Sequence, residues 1–286
     1  MRYYILLLLL VLSGCGVSEQ GSVEVVICPE CFEAYQGFVH CAFYSTHWPK
    51  ETYLIDADNY AGVGIPISLR GYMHHKFCFT DTHAVFGSAN PTQTGLGLND
   101  NLVVRVESAV MASNFASEYD FLLGVGSGLF TQRWVFNGQE IEMLFCPRSG
   151  CEKRILELLV EAERSVVFLS FSFTSQPIGD ALITLHESGL CVQGVVENRA
   201  SRASYAQTPR LQEAGVGVVR VQTPGVMHHK AFLIDNTTAI IGSYNPSQNA
   251  NVNNAETVVI IREEAVIAVL NEEFTRLSGA VACKRF

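Results

Sequence analysis

Met73-His-His-Lys-Phe77 and Met227-His-His-Lys-Ala231 are two copies of one short pattern in the same chain. Each copy is followed by a second repeated pattern, Gly87-Ser-Ala-Asn-Pro91 in the first half and Gly242-Ser-Tyr-Asn-Pro246 in the second half. Two further pairs of segments match, Glu24-Val-Val-Ile-Cys-Pro29 with Glu142-Met-Leu-Phe-Cys-Pro147 and Ala61-Gly-Val-Gly-Ile65 with Ala214-Gly-Val-Gly-Val218. Because all these pairs recur in one order, the sequence predicts a duplicated module.

The duplication also predicts the domain boundaries. We expect a first module at residues 23–124, a linker at 125–138 and a second module at 139–286. In the second module, apolar runs typical of strands alternate with segments of helical periodicity. This alternation predicts an α/β layer architecture for each module.

Helix signals are clearer in the second module than in the first. Ser149 and Glu152 have the spacing of a capping box at the start of a helix. Pro177 opens another helical segment, which Gly189 is placed to end. The first module is shorter between its repeated patterns, so the counterpart of the helix predicted at 177–188 is missing there.

Composition narrows the classes of function. The chain has 286 residues, of which 48% are hydrophobic and 16% are charged. These values are typical of a globular protein with one large domain or two ordinary ones, and they exclude a disordered, collagen-like or coiled-coil protein. The formal net charge of −9 argues against a protein that coats nucleic acid without specificity.

The N-terminal segment predicts export. Within residues 1–14, Arg2 precedes an apolar run that is too short to cross a bilayer. Leu12-Ser13-Gly14-Cys15 resembles a bacterial lipobox, so Cys15 is the predicted lipidation site and residues 15–22 are a tether. We therefore expect an exported protein, lipid-anchored to a bacterial membrane on its periplasmic or cell-surface face. The alternative is an ordinary secretion signal that is cleaved near the small residues.

One set of polar residues occurs twice with nearly the same spacing. The sets are His74, Lys76, Asp81, Ser88 and Asn90, and His228, Lys230, Asp235, Ser243 and Asn245. Because side chains alternate along a strand, His and Lys of each set should share one face, with His75 and His229 packed behind. Two modules related by a pseudo-twofold axis would bring both sets onto one phosphate group, where a phosphodiester transition state needs donors and positive charge.

The duplicated set resembles the phospholipase D superfamily, which is named for two His-x-Lys-x4-Asp motifs, each followed by Gly-Ser-x-Asn. The resemblance spans nearly all of the chain after its N-terminal segment. It implies an α/β fold of two repeated α/β/α sandwich modules that form an intramolecular pseudo-dimer, with the site at their seam. It also implies a monomeric, metal-independent phosphodiesterase that needs no cofactor.

The resemblance assigns roles to single residues. His74 is the implied nucleophile, which forms a phosphohistidine, and His228 is the implied acid and base. The other implied catalytic residues and phosphate ligands are Lys76, Lys230, Asn90, Asn245, Ser88 and Ser243. Asp81 and Asp235 lie just before turns and off the face of their histidines, so we expect both to be structural.

A carboxylate that holds a catalytic histidine is also implied. Glu256 follows Asn245 by eleven residues, where the superfamily commonly has such a glutamate. In the shorter first module the equivalent is Asp100 or Asn101, of which we assign Asp100.

The substrate implied by membrane anchoring and acidic charge is a phospholipid. The alternative is nucleic acid, since a compact nuclease branch of the superfamily uses the same residues. A non-catalytic phosphate-binding or lipid-binding module is disfavoured because neither copy of the motif has lost a residue. One basic loop has two possible interpretations, a solvated surface loop or a contact to the substrate. It contains Arg199, Arg202, Tyr205 and Arg210.

The cysteines allow two interpretations. Cys28 and Cys31 have a spacing known from zinc ligands, but their equivalents in the repeat, Cys146 and Cys151, have a different spacing, which argues against zinc. Export to an oxidising compartment favours disulfides. The sequence does not determine which of these four cysteines and Cys283 pair with each other. Three further cysteines in apolar runs are expected to behave as small buried hydrophobic residues, namely Cys41, Cys78 and Cys191.

Overall fold

The computed structural model describes residues 17–29, 31–280 and 282–283. The strands are β1 (Ser18–Glu19), β2 (Val23–Ile27), β3 (His40–Phe43), β4 (Tyr53–Asp56), β5 (Ile65–Ile67), β6 (Lys76–Phe79), β7 (His83–Gly87), β8 (Leu102–Glu107), β9 (Gln132–Phe136), β10 (Gln139–Cys146), β11 (Ser165–Ser170), β12 (Cys191–Glu197), β13 (Gly217–Val221), β14 (Lys230–Ile234), β15 (Thr238–Gly242) and β16 (Glu256–Ile261). The α-helices are α1 (Gln93–Gly97), α2 (Ala109–Leu122), α3 (Cys151–Val160), α4 (Gln176–Glu187), α5 (Thr208–Glu213), α6 (Gln248–Val252) and α7 (Glu264–Ser278). Among these described segments, no helix is both long and apolar enough to span a membrane.

Two mixed sheets carry the duplication. The first sheet has the strand order β2-β8-β7-β6-β3-β4-β5. The second sheet repeats this order as β10-β16-β15-β14-β11-β12-β13, and β9 and β1 extend it beyond β10. The duplicated α/β fold predicted from the sequence is thus confirmed, while the second sheet also includes β9 from the predicted linker and β1 from the predicted tether.

One hydrophobic core joins the two modules. It contains buried side chains of both sheets together with those of α2 and α7. Phe115 of α2 stacks on Phe77 of the first sheet at 4.3 Å between ring centroids, and it meets Phe145 of the second sheet edge-on. Since apolar burial is the main stabilising contribution to folding, this shared core fixes how the modules face each other.

The outer faces of the two sheets differ. In the second module, α3 and α4 cover the sheet through buried Ile155, Leu159, Ile178 and Leu182. In the first module, a 3-10 helix (Phe32–Tyr35) covers the corresponding face, and the connection from β3 to β4 contains no helix. The predicted absence of a counterpart to α4 is therefore confirmed.

Of the two helix starts predicted in the second module, the structure confirms one. Helix α4 begins as predicted, with the Ser175 hydroxyl accepting from the Ile178 N–H, and Gly189 follows its end at a φ of 93°. The predicted capping box is wrong. The Ser149 hydroxyl accepts from the Phe145 N–H, and Glu152 binds the side chains of Ser175 and Asn251 instead of closing its own helix.

Eight of the nine cysteines form four disulfides. Cys28 pairs with Cys31 and Cys146 with Cys151, which confirms the disulfide interpretation. The prediction for Cys41, Cys78 and Cys191 is wrong, since the remaining bonds are Cys41–Cys78 and Cys191–Cys283. Cys41 and Cys78 lie directly opposite each other on adjacent antiparallel strands, a long-range pairing that no local spacing reveals. The ninth cysteine, Cys15, lies outside the described residues, as does the predicted signal at 1–14.

Candidate active site at the seam between the modules

Backbone pairing between the modules places the two motif histidines. Just before β6, the His74 N–H donates to the Ala255 carbonyl at 2.9 Å. Just before β14, the His228 N–H donates to the Asp100 carbonyl at 2.8 Å. Each histidine is therefore held by the segment that precedes the last strand of the other module, and the two half-sites meet at one seam.

His74 is oriented by a carboxylate from the second module. Its Nδ1 lies 2.8 Å from Oε2 of Glu256, which is fully buried. The hydroxyl of Ser243 donates to the same oxygen at 2.6 Å, and the Asn254 amide donates to Oε1 at 3.1 Å. Because Nδ1 is engaged with Glu256, Nε2 is the ring nitrogen left for chemistry.

His228 is oriented by an amide from the first module. Its Nδ1 lies 2.9 Å from Oδ1 of Asn101 and 3.1 Å from the Ser88 carbonyl. The Asn101 amide nitrogen donates to the Gly95 carbonyl at 2.9 Å, which fixes Oδ1 as the atom that faces the histidine. Both partners of Nδ1 are acceptors, so Nδ1 carries a proton and Nε2 is again the free nitrogen.

The assignment of Asp100 as the carboxylate that orients a histidine is wrong. Its side chain pairs with Arg276 at 2.5 Å, and Asn101 occupies the place that Glu256 has in the other half. Asn101 follows Asn90 by eleven residues, the same interval as Glu256 after Asn245. The spacing alone therefore predicts Asn101. Asp100 was assigned instead because a carboxylate was expected.

Ser88 and Ser243 do not serve as predicted. The Ser88 hydroxyl donates to Asn101 Oδ1 at 2.8 Å and accepts from the Leu102 N–H at 3.0 Å. Ser243 donates to Glu256 in the same way and accepts from the Thr257 N–H at 2.9 Å. A hydroxyl has one proton to donate, so neither serine can also donate to a phosphate, and both hold the partner of a histidine instead.

The two motif lysines are buried and only partly satisfied. Lys76 Nζ donates to the His74 carbonyl at 2.8 Å, and Lys230 Nζ donates to the His228 carbonyl at 2.9 Å. An ammonium group has three N–H donors, so each lysine keeps two for a ligand. Burial lowers the pKa of Lys76 to about 7, and burial with the nearby Lys76 lowers the pKa of Lys230 well below its ordinary value.

Two asparagines have unused hydrogen-bonding capacity. The buried Oδ1 atoms of Asn90 and Asn245 have no hydrogen-bond partner among residues 17–29, 31–280 and 282–283. Asn90 lines a cavity of about 300 Å³ together with His228, Tyr44 and Thr92. We keep the prediction that these side chains bind the substrate, with their Nδ2 groups as the donors to phosphate oxygens, since Oδ1 can only accept. We call this cavity the polar pocket.

Each half-site contains one aromatic ring that was not predicted from the sequence. Tyr44 and Phe171 directly follow the equivalent strands β3 and β11, and their N–H groups donate to the carbonyls of His75 and His229. The ring of Tyr44 lies 5.3 Å from that of His74, and Phe171 lies 4.7 Å from His228. The lysine ammonium groups lie over the same rings, so these aromatics shield each His and Lys pair from water.

The electrostatics of the two half-sites are coupled. Burial lowers the pKa of His74 well below its ordinary value, and the charges of Lys76 and Lys230 lower it further. Burial does the same to the pKa of His228, with Lys230, Lys76 and His74 adding to the effect. Burial raises the pKa of Glu256 to about 7, although Lys76 opposes this shift. Both imidazoles are therefore neutral at neutral pH.

His75 and His229 lie behind the site, as predicted. His75 contacts the hydroxyl of Thr257 at 2.8 Å and the carboxylate of Glu118 at 3.1 Å. His229 contacts Glu273 at 2.7 Å. These glutamates, on α2 and α7, were not predicted, and their partners Arg148 and Arg276 complete two buried polar networks.

The remaining predicted residues lie away from the polar pocket. Asp235 accepts the backbone N–H groups of residues 163–165, which confirms a structural role in that turn. Asp81 is exposed and has no hydrogen bond to the rest of the described chain. In the basic loop, Arg210 pairs with Asp180 and Arg202 donates to Asn198 at 3.0 Å. In the same described residues, no cluster of three or more His, Cys, Asp or Glu side chains could hold a metal ion.

Comparisons with known proteins show the family to which the chain belongs. The family described as "Cardiolipin synthase, PLD-like domain" matches residues 43–123 and 155–278, which is more than half of the chain. The chain therefore belongs to the phospholipase D superfamily. A mitochondrial cardiolipin hydrolase from Xenopus tropicalis is 34% identical over 124 residues, which cover 43% of this chain and 59% of that protein. A phospholipase D from Rickettsia prowazekii is 26% identical over 57% of this chain and 79% of its own length.

A solved structure of similar fold extends over both modules. The phosphatidylserine synthase of Haemophilus influenzae superposes with a TM-score of 0.65 at 12% identity, covering 89% of this chain and 85% of that one. At this identity the likeness shows the fold alone. The chain spans between about half and two thirds of the length of the cardiolipin hydrolases that it matches, 59% for the Xenopus tropicalis protein.

Proposed function

We propose that the protein is a metal-independent phosphodiesterase that hydrolyses phospholipids at the seam between its modules. The observation that carries this proposal is the pair of histidines whose Nδ1 atoms are each held by a buried acceptor of the other module. Two buried lysines that have donors to spare lie at the same seam. The names of the relatives, a cardiolipin hydrolase and a phospholipase D, support a phospholipid as the substrate.

In the first step, neutral His74 attacks phosphorus through Nε2, and the bond from phosphorus to the leaving oxygen breaks. His228, protonated on Nε2, donates that proton to the leaving alcohol. The substrate phosphate is an anion, so its arrival raises the pKa values of the imidazoles and favours protonation of His228. Lys76, Lys230 and the two asparagine amides then stabilise the charge on the phosphoryl oxygens.

In the second step, neutral His228 accepts a proton from water as the water oxygen attacks phosphorus. The phosphorus–nitrogen bond breaks and returns its electron pair to Nε2 of His74, which leaves phosphatidate and a protonated His228. The order of roles follows from the partners of the two rings. A phosphorylated imidazole carries positive charge, and the carboxylate of Glu256 stabilises that charge better than the amide of Asn101 can.

The substrate class is tested on purified protein with saturating chelator. We expect hydrolysis of phosphatidylcholine or cardiolipin at a rate that the chelator leaves unchanged, because two imidazoles supply the nucleophile and the acid. Single-stranded DNA serves as the competing substrate. Cleavage of DNA alone would favour the nuclease alternative, and a loss of activity that zinc or magnesium restores would overturn the mechanism.

The lowered pKa values of both histidines predict an acidic optimum. A histidine with a depressed pKa loses its proton at a lower pH, so the free enzyme loses its general acid as the pH rises toward neutrality. We therefore expect a bell-shaped profile of kcat/KM with its maximum below pH ~6.5, the ordinary histidine pKa. A profile that stays flat from pH ~6 to ~9 would contradict this assignment of roles.

We also propose that the protein is exported and lipid-anchored through Cys15. The pairing of the other eight cysteines as disulfides supports an oxidising compartment. Cys15→Ala is expected to move the protein from the membrane fraction to the soluble fraction without changing its activity per molecule. Membrane association that persists in this variant would mean that the lipobox was misread.

A further inference from the structure

A second cavity lies beside the polar pocket in the first module. It measures about 600 Å³, within the range usual for ligand sites, and is lined mostly by apolar and aromatic side chains. Its lining residues include Phe32, Tyr35, Trp48, Tyr53, Pro91 and Leu96. We call it the aromatic cavity.

The aromatic cavity occupies the face of the first sheet that has no counterpart to α4. In the second module, Ile178 and Leu182 of that helix are fully buried against the sheet. In the first module, the chain passes from β3 to β4 without a helix, so the 3-10 helix Phe32–Tyr35 packs on this face with no equivalent of α4 beside it. The short connection from β3 to β4 thus leaves a concave apolar surface where α4 lies in the second module.

Two chain segments, residues 45–48 and 90–92, contribute side chains to the linings of both cavities. Along one segment, Ser45 and His47 line the polar pocket while Thr46 and Trp48 line the aromatic cavity. Along the other, Asn90 and Thr92 line the polar pocket while Pro91 lines the aromatic cavity. The segments are tied together, since the Thr46 hydroxyl and the His47 N–H both donate to the Pro91 carbonyl, at 3.1 and 3.0 Å.

We infer that the aromatic cavity binds an acyl chain of the phospholipid whose phosphate lies at the seam between His74 and His228, where the polar pocket opens beside His228. This inference rests on the proposed function and adds a site for the apolar part of the substrate. Its rim is apolar and accessible, because Trp48 is 48% exposed and Phe32 is 38% exposed. The two rings meet edge to face at 5.6 Å, an arrangement that stabilises an aromatic pair and so holds both rings at the rim.

A nucleobase fits this cavity less well. Proteins that bind single strands combine stacking aromatics with a positively charged groove that follows the phosphates. Among the residues that line the aromatic cavity, the cation is Lys50, whose ammonium donates to the Phe38 carbonyl at 2.7 Å. Apart from the motif lysines Lys76 and Lys230 at the seam, the lining of the polar pocket adds no lysine or arginine, and the formal net charge of the chain is −9.

The test compares substrates that differ only in their apolar part. Wild-type protein, Trp48→Ala and Phe32→Ala are assayed on a series of monomeric short-chain phosphatidylcholines and on bis(p-nitrophenyl) phosphate, which has no acyl chain. For the wild type, we expect kcat/KM to rise about threefold for each added methylene until the cavity is full. For each variant, we expect this slope to flatten and kcat/KM on the longest lipid to fall about tenfold, with hydrolysis of the chromogenic diester unchanged.

Phe130→Ala is the matched control, because Phe130 is an aromatic residue that is 63% exposed and lines neither cavity. We expect it to keep the wild-type slope. An equal loss in Phe130→Ala, or an unchanged slope in both cavity variants, would overturn the inference. So would a selective loss of single-stranded DNA cleavage in Trp48→Ala, which would indicate base stacking. A wild-type protein that cleaves neither the diester nor the lipids would instead contradict the proposed function.

Discussion

His74→Ala and His228→Ala are each expected to lower kcat by at least about a thousandfold on a phospholipid substrate. The physical reason is that the two imidazoles act in consecutive roles on one phosphorus atom, so removing either one stops the cycle. The measurement is steady-state hydrolysis by each purified variant, with folding checked by thermal unfolding. His83→Ala is the matched control, since His83 lies on the surface at the start of β7 and is expected to be dispensable.

The double variant separates one shared site from two independent sites. Groups that act as a unit have effects that do not add, so the double variant should be hardly slower than either single variant. If each module instead had its own site, each single variant would keep about half of the wild-type activity. That result would contradict the seam that the backbone pairing of His74 and His228 defines.

Glu256→Gln is expected to lower kcat/KM by about a hundredfold. The carboxylate orients the His74 ring and stabilises the positive charge that the ring carries as a phosphohistidine. Positive charge on His74 favours the ionised form of Glu256, so replacing Glu256 removes an anionic partner of the charged ring. The pKa of His74 should therefore fall further, and the acid limb of the pH profile should move to lower pH. A role in packing alone would lower the rate or the stability without moving that limb.

Asp100→Asn is the matched control for Glu256→Gln. Asp100 is also a buried carboxylate at the seam, but its side chain pairs with Arg276, and the backbone carbonyl that holds His228 is kept in the variant. We expect activity within a few-fold of the wild type and an unchanged pH profile. A larger loss of activity in Asp100→Asn than in Glu256→Gln would contradict the structure and would mean that the Asp100 carboxylate orients His228.

The sequence predicted the features that local patterns determine. The His and Lys spacing on a strand was enough to place His74 with Lys76 and to set His75 behind them, because strand alternation is a local property. The duplicated order of motifs was enough to predict two equivalent sheets. The absent counterpart of α4 followed from the shorter interval between motifs in the first module.

Features that depend on long-range contacts were predicted less well. The Cys41–Cys78 bond requires the pairing of β3 with β6, which no local spacing encodes. Asp100 was preferred to Asn101 because a carboxylate was expected beside the histidine. In the structure, the backbone of Asp100 pairs with that of Met227, and the side chain that contacts His228 is that of the next residue, Asn101. Ser88 and Ser243 were assigned to phosphate because a serine can donate a hydrogen bond, yet their protons are committed to Asn101 and Glu256.

The covalent intermediate provides the most direct test of a single site shared by both modules. His228→Ala is mixed with a phosphodiester that has an activated leaving group, denatured rapidly and analysed by peptide mass spectrometry. Such a leaving group departs without a general acid, while the missing base slows the hydrolysis of the intermediate. The account predicts one phosphoryl adduct per chain, located on His74, and none in His74→Ala. Adducts on both histidines of the wild-type chain, or an adduct on His228 in His74→Ala, would contradict it.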